Sequence, residues 1–283
     1  MVQQQLPPAV MKVVLGNELA RQRTLAGVTQ IDAAAVLRCT QQKIAHIEAG
    51  SGIRAIELDA LLDRYGTEAD DRRYAQDLQA ESNRRTKRGA FSTRFPQYLR
   101  LLVDMEPSCQ RLFAYQTMVV PGLLQTEEYM RALFRSWRAS PLVEQIEESV
   151  ANRLLRQRVL DDTEQSFRFV IDEAALRRTP GGSPIMRNQI DRLIEITARP
   201  NVEIQIVPFD TGYYSGQGCD YTIFGFDTRP PVDVVYLEQH DGGQYLDNNA
   251  RTATYLRLFE QVRAVAVGPE QTPAALLDIA VTV

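Results

Sequence analysis

The sequence predicts an all-α N-terminal bundle followed by a C-terminal α+β domain with a small mixed or antiparallel sheet flanked by helices. Three observations carry this expectation. A length of 283 residues suits two domains of about 100–200 residues each. Val13 to Tyr65 reads as four or five short helices separated by tight breaks. Beyond residue 160, short β-branched or aromatic runs bounded by Gly, Pro or Asp alternate with helical stretches. The hydrophobic share of 44% and charged share of 24% are ordinary for a chain that buries a core and argue against general disorder.

In chain order, residues 1–12 read as a disordered leader, with three consecutive glutamines and then Pro7-Pro8. Residues 13–67 form the helical bundle. Residues 68–90 read as a charged, solvated helix and linker that ends in the basic run Arg84, Arg85, Lys87 and Arg88. The α+β domain is expected over 91–268, with a C-terminal tail over 269–283. Within it, helices are expected over Phe91–Met105, Thr126–Arg138 with Thr126 as N-cap, Val143–Leu160, Pro184–Ala198 and Asp247–Val265. Strands are expected at Phe167–Ile171, Val202–Val207, Tyr221–Phe226 and Val234–Leu237.

Composition excludes several classes. The longest apolar runs fall far short of the ~20 residues that span a bilayer, and the start has no signal-peptide pattern. Three widely spaced cysteines, Cys39, Cys109 and Cys219, include no CxxC pair. They exclude a disulfide framework and a zinc ribbon and suit a reducing cytoplasm, the expected location. Charge is uneven: residues 1–90 carry 13 Lys+Arg against 11 Asp+Glu, and the remainder 19 against 25. A mildly basic front is thus joined to an acidic body, so the front can touch phosphates that the body would repel.

The informative segment is Leu15 to Tyr65. Thr29-Gln30-Ile31-Asp32 has the form of a capping box. Ala33 to Leu37 follow, with small side chains that permit close packing. After a turn at Arg38-Cys39, Thr40 can cap another helix. There Ile44 and Ile47 share one face and can enter the core, while Gln41, Gln42 and His46 fall on the opposite face. Gly50 and Gly52 stop it. Two short helices, a short turn and amides at the start of the second helix make a helix-turn-helix. Such a second helix fits the major groove, and glutamine can bind adenine bidentately there. The alternative is a small helical bundle without DNA affinity.

These residues resemble the Xre/lambda/434 repressor-type helix-turn-helix, with Thr40-Gln41-Gln42, Ile44, Ile47, Glu48 and Gly50 closest to the 434-type recognition helix. The resemblance implies roles by position. Gln30 would hold a phosphate and brace Gln41; Gln41 and Gln42 would read adjacent base pairs, and His46 would be a third reader. Arg23 and Glu48 would form a structural ion pair between the first and third helices. Thr40, Lys43 and Arg54 complete the expected DNA-binding set, with Lys43 equally readable as a solvated charge. Arg38 stands where the family turn usually has glycine, so this turn is open to differ.

A second resemblance rests on Val120-Pro121-Gly122-Leu123-Leu124-Gln125-Thr126-Glu127-Glu128-Tyr129, Asp172-Glu173-Ala174-Ala175-Leu176-Arg177-Arg178, Val207-Pro208-Phe209 and Val234-Val235-Tyr236-Leu237-Glu238. It is similar to the C-terminal domain of unknown function in actinobacterial Scr-type, antitoxin-like transcriptional regulators. That resemblance implies a homodimer on double-stranded DNA, with a small partner protein encoded nearby. The alternative is a ligand-sensing regulator whose body binds a small molecule that modulates DNA binding.

No catalytic set, metal site or cofactor is expected. Asp172 and Glu173 read as helix caps ahead of a carboxylate dyad. Gly216-Gln217-Gly218 and Asp241-Gly242-Gly243 read as turns. Asp247-Asn248-Asn249 reads as a helix cap, and His240 has no Cys or His near it in sequence. Cys219 reads as a buried small hydrophobe. The aromatic residues Tyr213, Tyr214, Tyr221, Phe224, Phe226, Tyr236 and Tyr245 read as sheet core ahead of a ligand pocket.

Overall fold

The computed structural model describes residues 6–83, 92–137, 143–239 and 242–283. The basic run at 84–88 and His240 lie outside the described residues. The chain divides into two compact units: residues 1–109 with 225–234 and 246–251, and residues 110–224 with 235–245 and 252–283.

The first unit is helical. Helix α1 spans Pro8–Leu25, α2 Gln30–Val36, α3 Gln41–His46, α4 Ala55–Tyr65 and α5 Ala69–Asn83. Helix α1 begins inside the segment expected as a leader. Pro8 sits at its first position, where a missing N–H costs nothing, and Val10 and Met11 are buried. The capping box at α2 is complete: Thr29 accepts from the Asp32 amide, and Asp32 accepts from the Thr29 amide. Thr40 caps α3 by accepting from the Lys43 amide, without the reciprocal bond. A wide turn, Ile47–Ser51, extends α3 until Gly50 takes φ +89°. Helix α5 falls in the segment read as a charged, solvated helix and linker, and it turns Ala75 and Leu78 inward. A 3₁₀ turn at Ser92–Arg94 and helix α6, Gln97–Met105, follow, so the expected helix is broken at Pro96, which cannot continue one.

Close packing is built into α1. A Cβ at Gly16 would lie 2.5 Å from the Glu48 carbonyl oxygen and 2.7 Å from that of Ile47. Only glycine allows the backbone beyond α3 to approach so near.

The later elements are β1 Arg111–Gln116, α7 Glu127–Trp137, α8 Val143–Gln157, β2 Ser166–Asp172, α9 Glu173–Arg177, α10 Ser183–Thr197, β3 Val202–Val207, β4 Tyr221–Phe226, β5 Val232–Gln239, β6 Gly242–Leu246, α11 Asn249–Val265 and α12 Thr272–Thr282. They build one six-stranded mixed sheet in the order β3-β2-β1-β4-β5-β6, flanked by helices. Strands β1, β2 and β3 are parallel, with Leu112 beside Phe167 and Phe167 beside Val202. Helices supply the crossovers that parallel neighbours need. Their near-continuous apolar runs match burial on both faces.

Several differences from the sequence reading stand out. Strand β1, Arg111–Gln116, lies outside the expected strands. Strand β6 occupies Gly242-Gly243, read as a turn; a Cβ on Gly243 would meet the Tyr236 ring at 2.3 Å, so this glycine serves close strand packing. The expected tail carries α12, which buries Leu276 and Ile279 and donates from the Thr272 hydroxyl to the Ile204 carbonyl of β3 at 2.8 Å. Cys219, expected buried, is exposed. The aromatic set is largely core, except that Tyr213 is 87% exposed.

Candidate nucleic-acid interface

Helices α2 and α3 present the expected residues in two connected groups. The first is a chain of polar contacts. Arg23 donates from Nε to Glu48 Oε1 at 2.6 Å and from Nη2 to Oε2 at 3.0 Å. Its Nη1 donates to the Val28 carbonyl at 3.0 Å. Gln30 Nε2 donates to Glu48 Oε2 at 2.9 Å, and Gln41 Nε2 donates to Gln30 Oε1 at 3.3 Å. A half-buried guanidinium, a carboxylate and two amides thus link α1, the end of α3, α2 and the start of α3. The bidentate pair fixes the carboxylate plane, as planar guanidinium–carboxylate geometry does. Its charge partner Glu48 holds the Arg23 guanidinium firmly protonated.

The second group centres on Glu57 in the first turn of α4. Its Oε1 accepts from Lys43 Nζ at 2.6 Å and from Arg54 Nη2 at 2.9 Å. Its Oε2 accepts from the Arg54 amide at 3.4 Å. The Arg54 guanidinium and the Lys43 ammonium hold this carboxyl well below its usual range, at about 2.

Gln42 and His46 stand exposed on α3, outside both groups. Gln41 and Lys43 are exposed as well, whereas Ile44 and Ile47 are 1% and 3% exposed. The helix therefore has one core face and one polar face. The Thr40 hydroxyl oxygen accepts from the Lys43 amide at 3.2 Å and so caps the helix. Arg38 adopts φ +49°. The turn keeps the left-handed geometry that glycine would favour, and does not diverge. The sequence reading missed Glu57, whose signal was its spacing three residues beyond an N-cap position, and Gly16, whose close neighbours lie 31 and 32 residues further along the chain.

In the body, amide side chains fix the distinctive Val120–Tyr129 segment. Gln125 Nε2 donates to the Val120 carbonyl at 2.6 Å, Gln157 Nε2 to the Gly122 and Gln125 carbonyls at 3.0 and 2.8 Å, and Gln189 Nε2 to the Leu124 carbonyl at 2.9 Å. Ahead of α7 the segment is irregular apart from one 3₁₀ turn, so these amides satisfy backbone groups that no ladder reaches. Asp172 caps α9 through the Ala174 amide at 2.8 Å and accepts from the Tyr214 hydroxyl, which meets that of Tyr115. Glu173 takes Arg177 Nε at 2.5 Å and the Phe209 amide at 2.6 Å. The two carboxylates therefore serve different partners and form no dyad.

Among the described residues, no group of three or more His, Cys, Asp or Glu is placed to hold a metal ion, and no helix is long and apolar enough to cross a membrane.

No curated protein and no solved structure matches the chain. Residues 14–75 match a helix-turn-helix domain, which spans both polar groups and makes the chain a DNA-binding regulator. Residues 99–278 match a domain of unknown function, DUF5753. That match takes in more than half of the sequence, and the chain belongs to the DUF5753 family, with its domain set behind a helix-turn-helix.

Proposed function

We propose that the chain is a cytoplasmic, sequence-specific transcriptional regulator of the Xre/434 repressor type, antitoxin-like in its biology. Helix α3 enters the major groove. Gln41 and Gln42 read adjacent base pairs and His46 a third, while Gln30, Thr40, Lys43 and Arg54 stand at the phosphates. Arg23 and Glu48 are structural. The carrying observation is the Gln41–Gln30–Glu48–Arg23 chain. It fixes one end of the Gln41 amide before any base arrives, which lowers the ordering cost of binding. The protein acts as a homodimer, because one short helix buries too little surface and two-fold dimers read paired half-sites. The body dimerises and receives a small partner protein.

The test is sequencing of random DNA fragments captured by the purified protein at physiological salt. Enrichment of a palindrome with half-sites about one helical turn apart is expected. No enrichment would count against sequence-specific reading by the free protein. With that site known, Gln41→Ala should weaken specific binding by ~1–3 kcal/mol while leaving random DNA nearly unaffected. An equal loss on both DNAs would contradict base reading.

A further inference from the structure

The arrangement around Glu57 is poorly explained as a stabilising ion pair. Two cations share a single carboxylate oxygen, so they repel each other while competing for one acceptor. The carboxylate is nearly buried, at 11% side-chain exposure, whereas Lys43 and Arg54 are 45% and 76% exposed. An ammonium has three donors and a guanidinium five, and each spends one side-chain donor on Glu57. The rest remain available on a pair that carries one uncompensated positive charge. Lys43 belongs to α3 and Arg54 caps α4, so one carboxylate ties the proposed reading helix to the next helix. The first-turn amides of α4, at Ala55 and Ile56, open at the same end.

We propose that Glu57 is a positioning residue for nucleic-acid phosphate: from beneath, it holds Lys43 and Arg54 as a two-cation clamp that closes on one backbone phosphate. The phosphate supplies the missing negative charge and takes the outward donors, and Glu57 itself touches no DNA. This rests on the DNA-reading role of α3 given above. It assigns Glu57 an effect on affinity that does not depend on sequence.

The test uses the full chain, with duplex containing the enriched site and random duplex, titrated across a range of salt. Glu57→Ala should weaken binding to both DNAs by about fivefold at physiological salt, the factor that one released counterion supplies. It should also flatten the slope of log affinity against log salt by about one. Glu57→Gln, which keeps an acceptor in place, should recover most of the loss. A merely structural role would lower the melting temperature without moving that slope. Binding by Glu57→Ala as tight as wild type or tighter, with a steeper slope, would overturn the proposal, because the carboxylate would then only screen the cations. Should Glu57→Ala fail to fold, Glu57→Asp decides, because it keeps the charge but withdraws the shared oxygen by one methylene from Lys43 and Arg54: binding to both DNAs should weaken and the salt slope flatten, and unchanged binding and slope would sink the idea. A wild-type chain that binds neither DNA overturns the underlying reading too, and so separates that failure from failure of the clamp.

Discussion

At Arg38 the backbone sits at φ +49°, a conformation that costs an L-residue roughly 1–2 kcal/mol. The turn holds it there because capped helices on both sides fix its ends. Arg38→Gly should relieve that strain and give back part of the gain as unfolded-chain entropy. A net stabilisation of about 0.5 kcal/mol is expected in chemical denaturation. A loss of stability would mean that the Arg38 side chain makes contacts worth more than the strain. Glu48 presents the opposite case. It accepts from both Arg23 and Gln30, and its side chain is 9% exposed. Glu48→Ala leaves a half-buried guanidinium without its carboxylate and should cost about 3 kcal/mol. An unchanged melting temperature would remove the ion pair from the account of stability.

Among the elements, the α1 to α3 contact depends on one hydrogen atom. A methyl group at Gly16 would meet two carbonyl oxygens at 2.5 and 2.7 Å, and backbone cannot give way as a side-chain tip does. Gly16→Ala should therefore destabilise the first unit by at least about 1–3 kcal/mol despite the better helix propensity of alanine. Neutral or improved stability would show that α1 can slide away from the Ile47–Ser51 turn at little cost. The elements also show what the residues made legible in advance. Thr29 with Asp32, Thr40, and the Ile44–Ile47 face are local patterns, and local hydrogen bonding and periodicity reveal them. Strand β6 was hidden because Gly242-Gly243 resembles a turn until the Tyr236 ring across the sheet is known. The long-range pairing of Lys43 with Glu57 was hidden likewise, since they are neighbours only once α3 and α4 are folded together. The exposed face of Gln41 and Gln42 was legible in the helical spacing of Ile44 and Ile47, while their proposed role comes from the resemblance to a known recognition helix. The Gln125, Gln157 and Gln189 amides around the Val120–Tyr129 segment were not, because spatial convergence alone gives them their purpose.

At the scale of the whole molecule, the fold class followed from composition and strand spacing, but the end of the chain did not. Helix α12 buries Thr272, Leu276 and Ile279 and bonds to β3. Truncation after Gly268 should uncover the outer side of β3 and α10 and cost the second unit several kcal/mol. Differential scanning calorimetry should show its transition lowered or lost. An unaltered thermogram would reduce α12 to an ornament on the sheet. The composition of the first unit has a further consequence. It includes residues 225–234 and 246–251, where Arg229 pairs with Asp71 at 3.2 Å and donates its amide to the Tyr74 hydroxyl at 3.3 Å. A ribosome adding about 5–20 residues per second needs roughly 10–30 s to travel from the end of α5 to residue 251. The DNA-binding unit is therefore completed late in synthesis. A nascent chain cut short by a premature stop after α5 carries every residue proposed to read bases, but lacks two later segments of the first unit.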